Sequence, residues 1–424
     1  MSHEHSALLS VDEAQRRLLN HFDTLPAEQV PLESAAGRVL AQRVYSNLDL
    51  PPFPNSSMDG FAVRVADIEG AQPDHPVILP VVADIPAGQV SRQALGAGQA
   101  ARIMTGAPVP QGAEAVVPVE DTDFNVREPG VDAPGEVQIY RAANQGENVR
   151  PQGQDVQRGE LVLAAGAWLR PQEIGFLAML GVAQVPVIRR PRVAIFSSGD
   201  ELVPVGQPLE PGQIHDSNTY TLTGLVQQNG GQVIDLGIVP DQAQAVEETL
   251  DQAVDQGVDL LLTSAGVSVG AFDFVRSVVE RRGELGFWRV NMRPGKPLVF
   301  GHYRQVPFIG LPGNPVSAFV GFQIFVRTAI SKLAGAQDRP RNIQQVRLLE
   351  EVHSDGRESY LRAIVSRQDG ELVARLTGHQ GSGNLRSLVQ ANALLMLPSG
   401  VKSLPAGDMA RAWLLSDVLV EKVP

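Results

Sequence analysis

Between Arg192 and Leu333, short apolar runs alternate with amphipathic segments, and this alternation limits the possible folds more than any other feature of the chain. Arg192-Val-Ala-Ile-Phe-Ser197 has the unbroken apolar character of a strand buried on both faces. A helix is predicted to start near Asp216-Ser217 and to stop at Gly230-Gly231. Gln232-Val-Ile-Asp-Leu-Gly-Ile238 then reads as a second strand. Asp241 is placed to cap a helix whose Val246, Leu250, Ala253 and Val254 share one face and which Gly257 closes. Val258-Asp-Leu-Leu-Leu-Thr263 is a third strand and Val306-Pro-Phe-Ile-Gly310 a fourth. The fourth leads into a helix opening at Pro315, a favourable first helical position. Strand and helix taking turns at this spacing imply a doubly wound parallel sheet with right-handed crossovers.

The flanking regions read differently. Ser10-Val-Asp-Glu13 is a capping box, and Ala14, Leu18 and Phe22 continue an apolar stripe at helical spacing. From about Pro51 to Arg190, runs such as Val77-Ile-Leu-Pro-Val-Val82 and Val137-Gln-Ile-Tyr140 alternate with Gly and Pro, of which the chain has 41 and 31; small β-rich domains are expected. After Pro340, Val346-Arg-Leu-Leu349, Ala363-Ile-Val365 and Ala393-Leu-Leu-Met-Leu397 predict a C-terminal β domain. The fold class expected is thus α/β plus β, multidomain.

At a net charge of −12 the chain lacks the basic face that a nucleic acid requires, although a small anion needs only a few local cations. With no cysteine there is no disulfide framework, thiolate nucleophile or thiolate metal site. The N-terminus lacks the basic-then-apolar order of a signal peptide, and no uncharged apolar run approaches the roughly 20 residues of a spanning helix. A cytoplasmic protein without membrane or nucleic-acid partners is expected.

Ligands of open parallel sheets bind at the carboxyl ends of the strands. Here those ends carry Ser197-Ser-Gly-Asp-Glu201, Val239-Pro-Asp241, Thr263-Ser-Ala-Gly-Val-Ser-Val-Gly270 and Gly310-Leu-Pro-Gly-Asn-Pro315. Two are rich in Gly and Ser and lead into helix starts, which favour phosphate. Two bring carboxylates, which repel it. Mg²⁺ or another divalent cation between them reconciles the two, since Mg²⁺ commonly uses one or two carboxylates plus phosphate oxygens. Taken singly, such loops are as often plain turns and caps. Lys296, one of only four lysines, suits a phosphate as a mobile point charge, and a solvated turn is the equal alternative. Asp59-Gly60 by itself is a tight turn. The eight histidines show no metal-ligand spacing, and His3 and His5 sit in a polar tail.

Together these segments resemble the molybdopterin molybdenumtransferase family, the MoeA-type proteins related to the catalytic domain of gephyrin. The stretches that carry the resemblance are Pro52-Phe-Pro-Asn-Ser-Ser-Met-Asp-Gly-Phe-Ala62, Arg102 to Val117, Gly146-Glu-Asn-Val-Arg150 with Asp155, and Ser198-Gly-Asp-Glu-Leu202. Thr263 to Gly270 with Asp273, Arg293-Pro-Gly-Lys-Pro297 and Leu311-Pro-Gly-Asn-Pro-Val-Ser317 complete the set. The resemblance implies a homodimer of four-domain subunits, divided as 1–50 with 141–190 (elongated N-terminal domain), 51–140 (small β-rich domain), 191–335 (ligand-binding α/β domain) and 336–424 (barrel-like β domain). It implies adenylylated molybdopterin and molybdate as substrates with a divalent cation. It implies release of AMP and molybdenum cofactor, with a molybdopterin adenylyltransferase and molybdoenzyme maturation factors as further partners. By motif position Asp200, Glu201, Asp241 and Asp273 serve the metal and nucleotide, with Asp200 and Asp273 as the main metal ligands. Lys296 and Arg293 face phosphate or pterin. Ser198, Gly199, Ser268, Gly270, Gly313 and Asn314 line the cofactor site. Asp59, Thr105 and Asp155 come across the dimer interface, and Arg362 and Ser382 come from the C-terminal domain. The sequence departs from the family pattern at Pro54 (usually Asp), Ala265 (usually Gly), Arg293 (often Lys) and Ser198 (Thr). Adenylyl transfer onto molybdopterin and a non-catalytic cofactor carrier are the competing readings.

Overall fold

Successive side chains of a strand point to opposite faces, so a strand that is apolar throughout must be covered on both. The centre of this chain follows that rule residue by residue. The structure, a computed structural model, describes residues 8–124, 130–265, 274–336 and 341–415. The chain divides into two compact units, one formed by residues 1–42, 166–175 and 183–424, the other by residues 43–165 and 176–182.

The first unit is built on strands β1 (Arg192–Ser198), β2 (Gln232–Val239), β3 (Leu260–Ser264), β4 (Gly283–Arg289), β5 (Pro297–Tyr303) and β6 (Val306–Leu311), ordered β2-β1-β3-β6-β5-β4. The first four in that order are parallel, as the alternation predicts. On one face Val193, Ile195, Leu260, Leu262, Ile309 and Leu311 pack with Leu222, Leu225 and Val226 of the helix Asn218–Gln228. On the other, Ala194, Phe196, Leu261 and Phe308 meet Val246, Leu250 and Ala253 of the helix Ala243–Asp255 and Val275, Val278 and Val279 of the helix Phe274–Arg282. Each such side chain, once buried, contributes about 1.5–3 kcal/mol, so helices on both faces hold the sheet in place.

The antiparallel edge made by β4 and β5 was not anticipated. The turn that leads from β5 back into β6, Arg304-Gln305, joins Tyr303 to Val306 with both residues at positive φ (44° and 72°). That geometry usually advertises itself through Asn-Gly or Asp-Gly, and here it does not. The helical run Pro315–Leu333 has the length and hydropathy of a membrane span, but 72% of it is buried inside the first unit, where Val316, Val320 and Phe325 belong to the core. The helix Val11–Leu19 packs into the same core through Val11, Ala14 and Leu18. Its capping box is half formed: Ser10 Oγ accepts the Glu13 N–H at 3.2 Å, whereas the Glu13 carboxylate turns to Arg16 and Arg17.

The two helix starts read from the sequence turn out differently. The helix Asn218–Gln228 is capped by Asp216, whose buried carboxylate accepts the N–H groups of Asn218 (3.0 Å) and Thr219 (3.1 Å) and the Thr219 hydroxyl (2.6 Å). Asp241 does not cap the helix Ala243–Asp255, which starts after Gln242 without a side-chain cap. The Asp241 carboxylate is engaged by the Ser198 hydroxyl instead.

The unit ends in a closed ring of β7 (Ile343–Leu348), β8 (Glu358–Gln368), β9 (Glu371–Leu376), β10 (Ala393–Leu397) and β11 (Met409–Leu414). They pair as β8-β9-β7-β11-β10 and back to β8, the barrel-like domain expected. The second unit holds a five-stranded sheet of Ala115–Pro118, Gly60–Val63, Ala100–Ile103, Val77–Ile85 and Glu136–Ile139, in that order. The two runs singled out in the sequence, at Val77 and Val137, pair antiparallel at its edge.

Candidate functional site

The parallel strands finish level with one another. Ser198 of β1 lies opposite Val239 of β2, Ser197 opposite Ser264 of β3, and Ser264 opposite Leu311 of β6. The four loops singled out in the sequence therefore emerge along one edge of the sheet. The third is described only as far as Ala265, so Ser268, Gly270 and Asp273 lie outside the described residues.

Asp200 and Asp241 come together there. The Asp241 N–H donates to Asp200 Oδ1 at 3.1 Å, and the nearly buried Ser198 hydroxyl holds the Asp241 carboxylate. The Glu201 side chain is folded back over Gly199: a Cβ at that glycine would stand 2.5 Å from Glu201 Oε2 and would push the carboxylate aside. Among the described residues no three His, Cys, Asp or Glu side chains gather closely enough to hold a metal by themselves. The Asp200–Asp241 pair still suits Mg²⁺, which takes much of its coordination from phosphate and water.

Two cavities open on this edge. The larger, about 610 Å³, is lined by Glu201, Asp216, Asn218, Ser264, Gly313 and Asn314 among others. The second, about 410 Å³, lies between the loop before β5 and the barrel, and Asn314 lines both. Its walls carry Arg293, Lys296, Arg357 and Arg362, the polar groups of Asn314, Ser317, Gln380 and Ser382, and no carboxylate. Four cations around one small cavity in a chain of net charge −12 mark a receptor for an anion.

Arg362 makes the strongest case. It is fully buried on β8. Its Nε donates to Ser387 Oγ at 2.9 Å and its Nη2 to the Gly381 carbonyl at 3.0 Å, while Nη1 has no partner among the described residues. Burial, with the neighbouring Arg293 cation adding to it, pulls its pKa down to about 10. A buried guanidinium held only by neutral acceptors costs several kcal/mol, which an arriving anion would offset. Arg357 is differently placed. Asp355 engages its Nε at 3.0 Å and also lies 4.0 Å from Arg293, and the Arg357 guanidinium holds that carboxyl below its usual range. The Val316 N–H donates to the Ser382 carbonyl at 3.0 Å, tying the barrel-side loop to the helix that starts at Pro315.

Sequence reasoning selected Arg293, Lys296, Gly313, Asn314, Arg362 and Ser382, and the structure gathers all six around the two cavities. It overlooked Arg357, Ser317, Gln380 and Asn218. Ser317 stands inside a motif quoted above, but nothing in spacing distinguishes any of the four from its neighbours. In the second unit, exposed Asp59 accepts both the N–H and the hydroxyl of Thr105 at 2.7 Å, and exposed Asp155 pairs with Arg150 at 2.7 Å.

Comparison with known proteins accounts for the arrangement. Family models match along the chain: "MoeA N-terminal region (domain I and II)" over residues 9–181, "Probable molybdopterin binding domain" over 194–332 and "MoeA C-terminal region (domain IV)" over 345–415. A molybdopterin molybdenumtransferase of Nostoc sp. is 41% identical, with 100% of this chain and 95% of that one covered. The chain belongs to the molybdopterin molybdenumtransferase family. Molybdopterin molybdenumtransferase 2 of Mycobacterium tuberculosis is 40% identical, covering 95% and 99% of the two chains. The crystal structure of a molybdopterin biosynthesis MoeA protein from Pyrococcus horikoshii superposes with a TM-score of 0.79 at 32% identity, covering 96% of this chain and 100% of that one.

Of the four departures from the family pattern, Ala265 has a visible structural consequence. Its φ is +79°, in the left-handed region where a Cβ is disfavoured by about 1–2 kcal/mol. A Cβ on Gly313 would come within 3.1 Å of the Ala265 Cβ, so the two loops already approach closely. Ala265→Gly is therefore expected to raise stability by about 1 kcal/mol, net of the added freedom of the unfolded chain. Chemical denaturation would read this as a higher midpoint at unchanged slope.

Proposed function

We propose that this chain transfers molybdenum from molybdate to adenylylated molybdopterin, with cleavage of the phosphoanhydride and release of AMP and molybdenum cofactor. The family supports a molybdenum transferase. The observation that carries the finer reading is the cationic cavity around buried Arg362, which opens beside a second cavity at the strand ends. Molybdate is a compact dianionic oxyanion. Arg362, Arg293 and Lys296 would hold its charge and orient it, with the Arg362 fork supplying directional donors and Lys296 an adjustable one.

The nucleotide-linked substrate would occupy the larger cavity, its heterocycle near Asn218 and its phosphates toward the turn that opens the helix at Pro315. Asp200 and Asp241 would hold a divalent cation, Mg²⁺ in this reading, and Ser198 would keep Asp241 facing it. When bound, such a cation supplies Lewis-acid polarisation of an anhydride. The protein's own part is to keep two anionic substrates side by side by giving each a separate counter-charge, which turns their encounter into a local event. A cytoplasmic homodimer, to which the exposed Asp59, Thr105 and Asp155 of a second copy contribute, completes the proposal.

Purified chain supplied with adenylylated molybdopterin, Mg²⁺ and molybdate should release AMP over many turnovers, and only when molybdate is present. Pyrophosphate release from ATP and molybdopterin would assign the preceding adenylyl transfer instead. Binding of one cofactor per chain without turnover would assign a carrier.

A further inference from the structure

Asn218 opens the helix Asn218–Gln228 at the foot of the larger cavity and is 8% exposed. Its Nδ2 donates to Ser264 Oγ at 2.5 Å and to the Gly313 carbonyl at 2.7 Å. A carbonyl can only accept, so Gly313 fixes which end of the amide is nitrogen. Oδ1 is then left as an acceptor with no donor among the described residues. All three residues of this junction line the cavity, and they come from the start of a helix, the end of β3 and the loop after β6. The amide is thus held from two sides by the scaffold, its one unused function is a buried acceptor, and the residue that carries it lines a space large enough for a bicyclic ring.

A buried acceptor without a donor is costly, and the cost is relieved only by a group that brings N–H or O–H. Phosphate oxygens would be repelled at this point. Asp216 on the same wall already accepts from Asn218 N–H, Thr219 N–H and the Thr219 hydroxyl, whereas Asn218 Oδ1 accepts from none of the described residues. We propose that Asn218 is a specificity-determining residue that accepts a hydrogen bond from the amino-bearing edge of the substrate's heterocycle. The group recognised is an exocyclic amine on an aromatic N-heterocycle, and adenine and the pterin both offer one. The inference rests on the assignment of this cavity to the nucleotide-linked substrate.

The test is a thermodynamic cycle between residue and ligand. Calorimetry would compare AMP with purine riboside 5′-monophosphate, which lacks the amine. It would likewise compare pterin-6-carboxylate with lumazine-6-carboxylate, on the full-length unmodified chain and on Asn218→Ala. One pair should show a preference of about tenfold for the amino-bearing ligand on the unmodified chain, and that preference should vanish in the variant. A response from the first pair identifies adenine as the group read, a response from the second the pterin. No preference in either pair on the unmodified chain, or a preference that survives the substitution, overturns the proposal. Because the first of these needs no variant, poor folding of Asn218→Ala leaves the test intact. Molybdate binding and AMP release by the unmodified chain report separately on the proposed function.

Discussion

Arg362→Met is expected to abolish measurable molybdate binding and to lower kcat/KM for molybdate by about 10²–10³-fold, the usual result of deleting one charge-assisted donor from a dry site. It should do so without unfolding the protein. Methionine fills much of the volume, and exchanging a buried cation that lacks a carboxylate partner for an apolar side chain is commonly neutral or stabilising. A purely structural arginine would give the opposite pair of results, lost stability with retained molybdate affinity. Thermal melts beside titrations with molybdate separate the two. Arg362→Lys should fall between, because charge is kept and the fork is lost. The pH profile adds an independent reading. Anion binding needs the protonated guanidinium, whose pKa lies near 10. Affinity should therefore fall as pH rises through about 10, earlier than an ordinary arginine allows, and bound molybdate should shift the fall upward.

The second large effect is expected at the Asp200–Asp241 pair. Asp241→Asn and Asp200→Asn are near-isosteric. Each leaves an Oδ1 to accept the hydrogen bond seen here, from the Ser198 hydroxyl in one case and the Asp241 N–H in the other. The fold should survive. What is lost is one negative charge facing the cation. AMP release should drop by at least about 10²-fold at ordinary Mg²⁺, with partial recovery at high Mg²⁺. Molybdate binding at the Arg362 cavity should be unchanged. Equal AMP release by both variants across a Mg²⁺ titration would remove these residues from the metal's environment.

The extent to which all this was legible in the sequence follows from how each feature is encoded. The parallel strands were readable because burial on both faces leaves unbroken apolar runs such as Val193 to Phe196 and Leu260 to Leu262. Where those strands end decides where the loops meet, so Asp200, Asp241, Gly313 and Asn314 could be placed on one edge. The hairpin of β5 and β6 was hidden because Arg304 and Gln305 take left-handed conformations without the residues that usually do so. Asp241 was misread as a cap because a carboxylate before a helix carries the same signal whether it turns to the backbone or, as here, to Ser198. Arg357, Ser317 and Gln380 act through where the barrel comes to rest against the sheet, and that contact between distant segments leaves no local pattern. Asn218 was masked by its neighbours Asp216 and Ser217, which accounted for the helix start on their own.

The cavity around Arg362 takes one wall from the loop before β5 and the other from the barrel, while the larger cavity draws nearly all its lining from the sheet and the loops at its edge. An α/β domain standing alone would keep a place for the pterin nucleotide but would have no seat for the oxyanion. On the proposed assignment, a small barrel would add a seat for a second reactant to a scaffold that could otherwise grip only one. Variation in the barrel's rim, at Gln380, Gly381 and Ser382, would then tune which tetrahedral oxyanion is admitted without disturbing the half of the site built on the sheet.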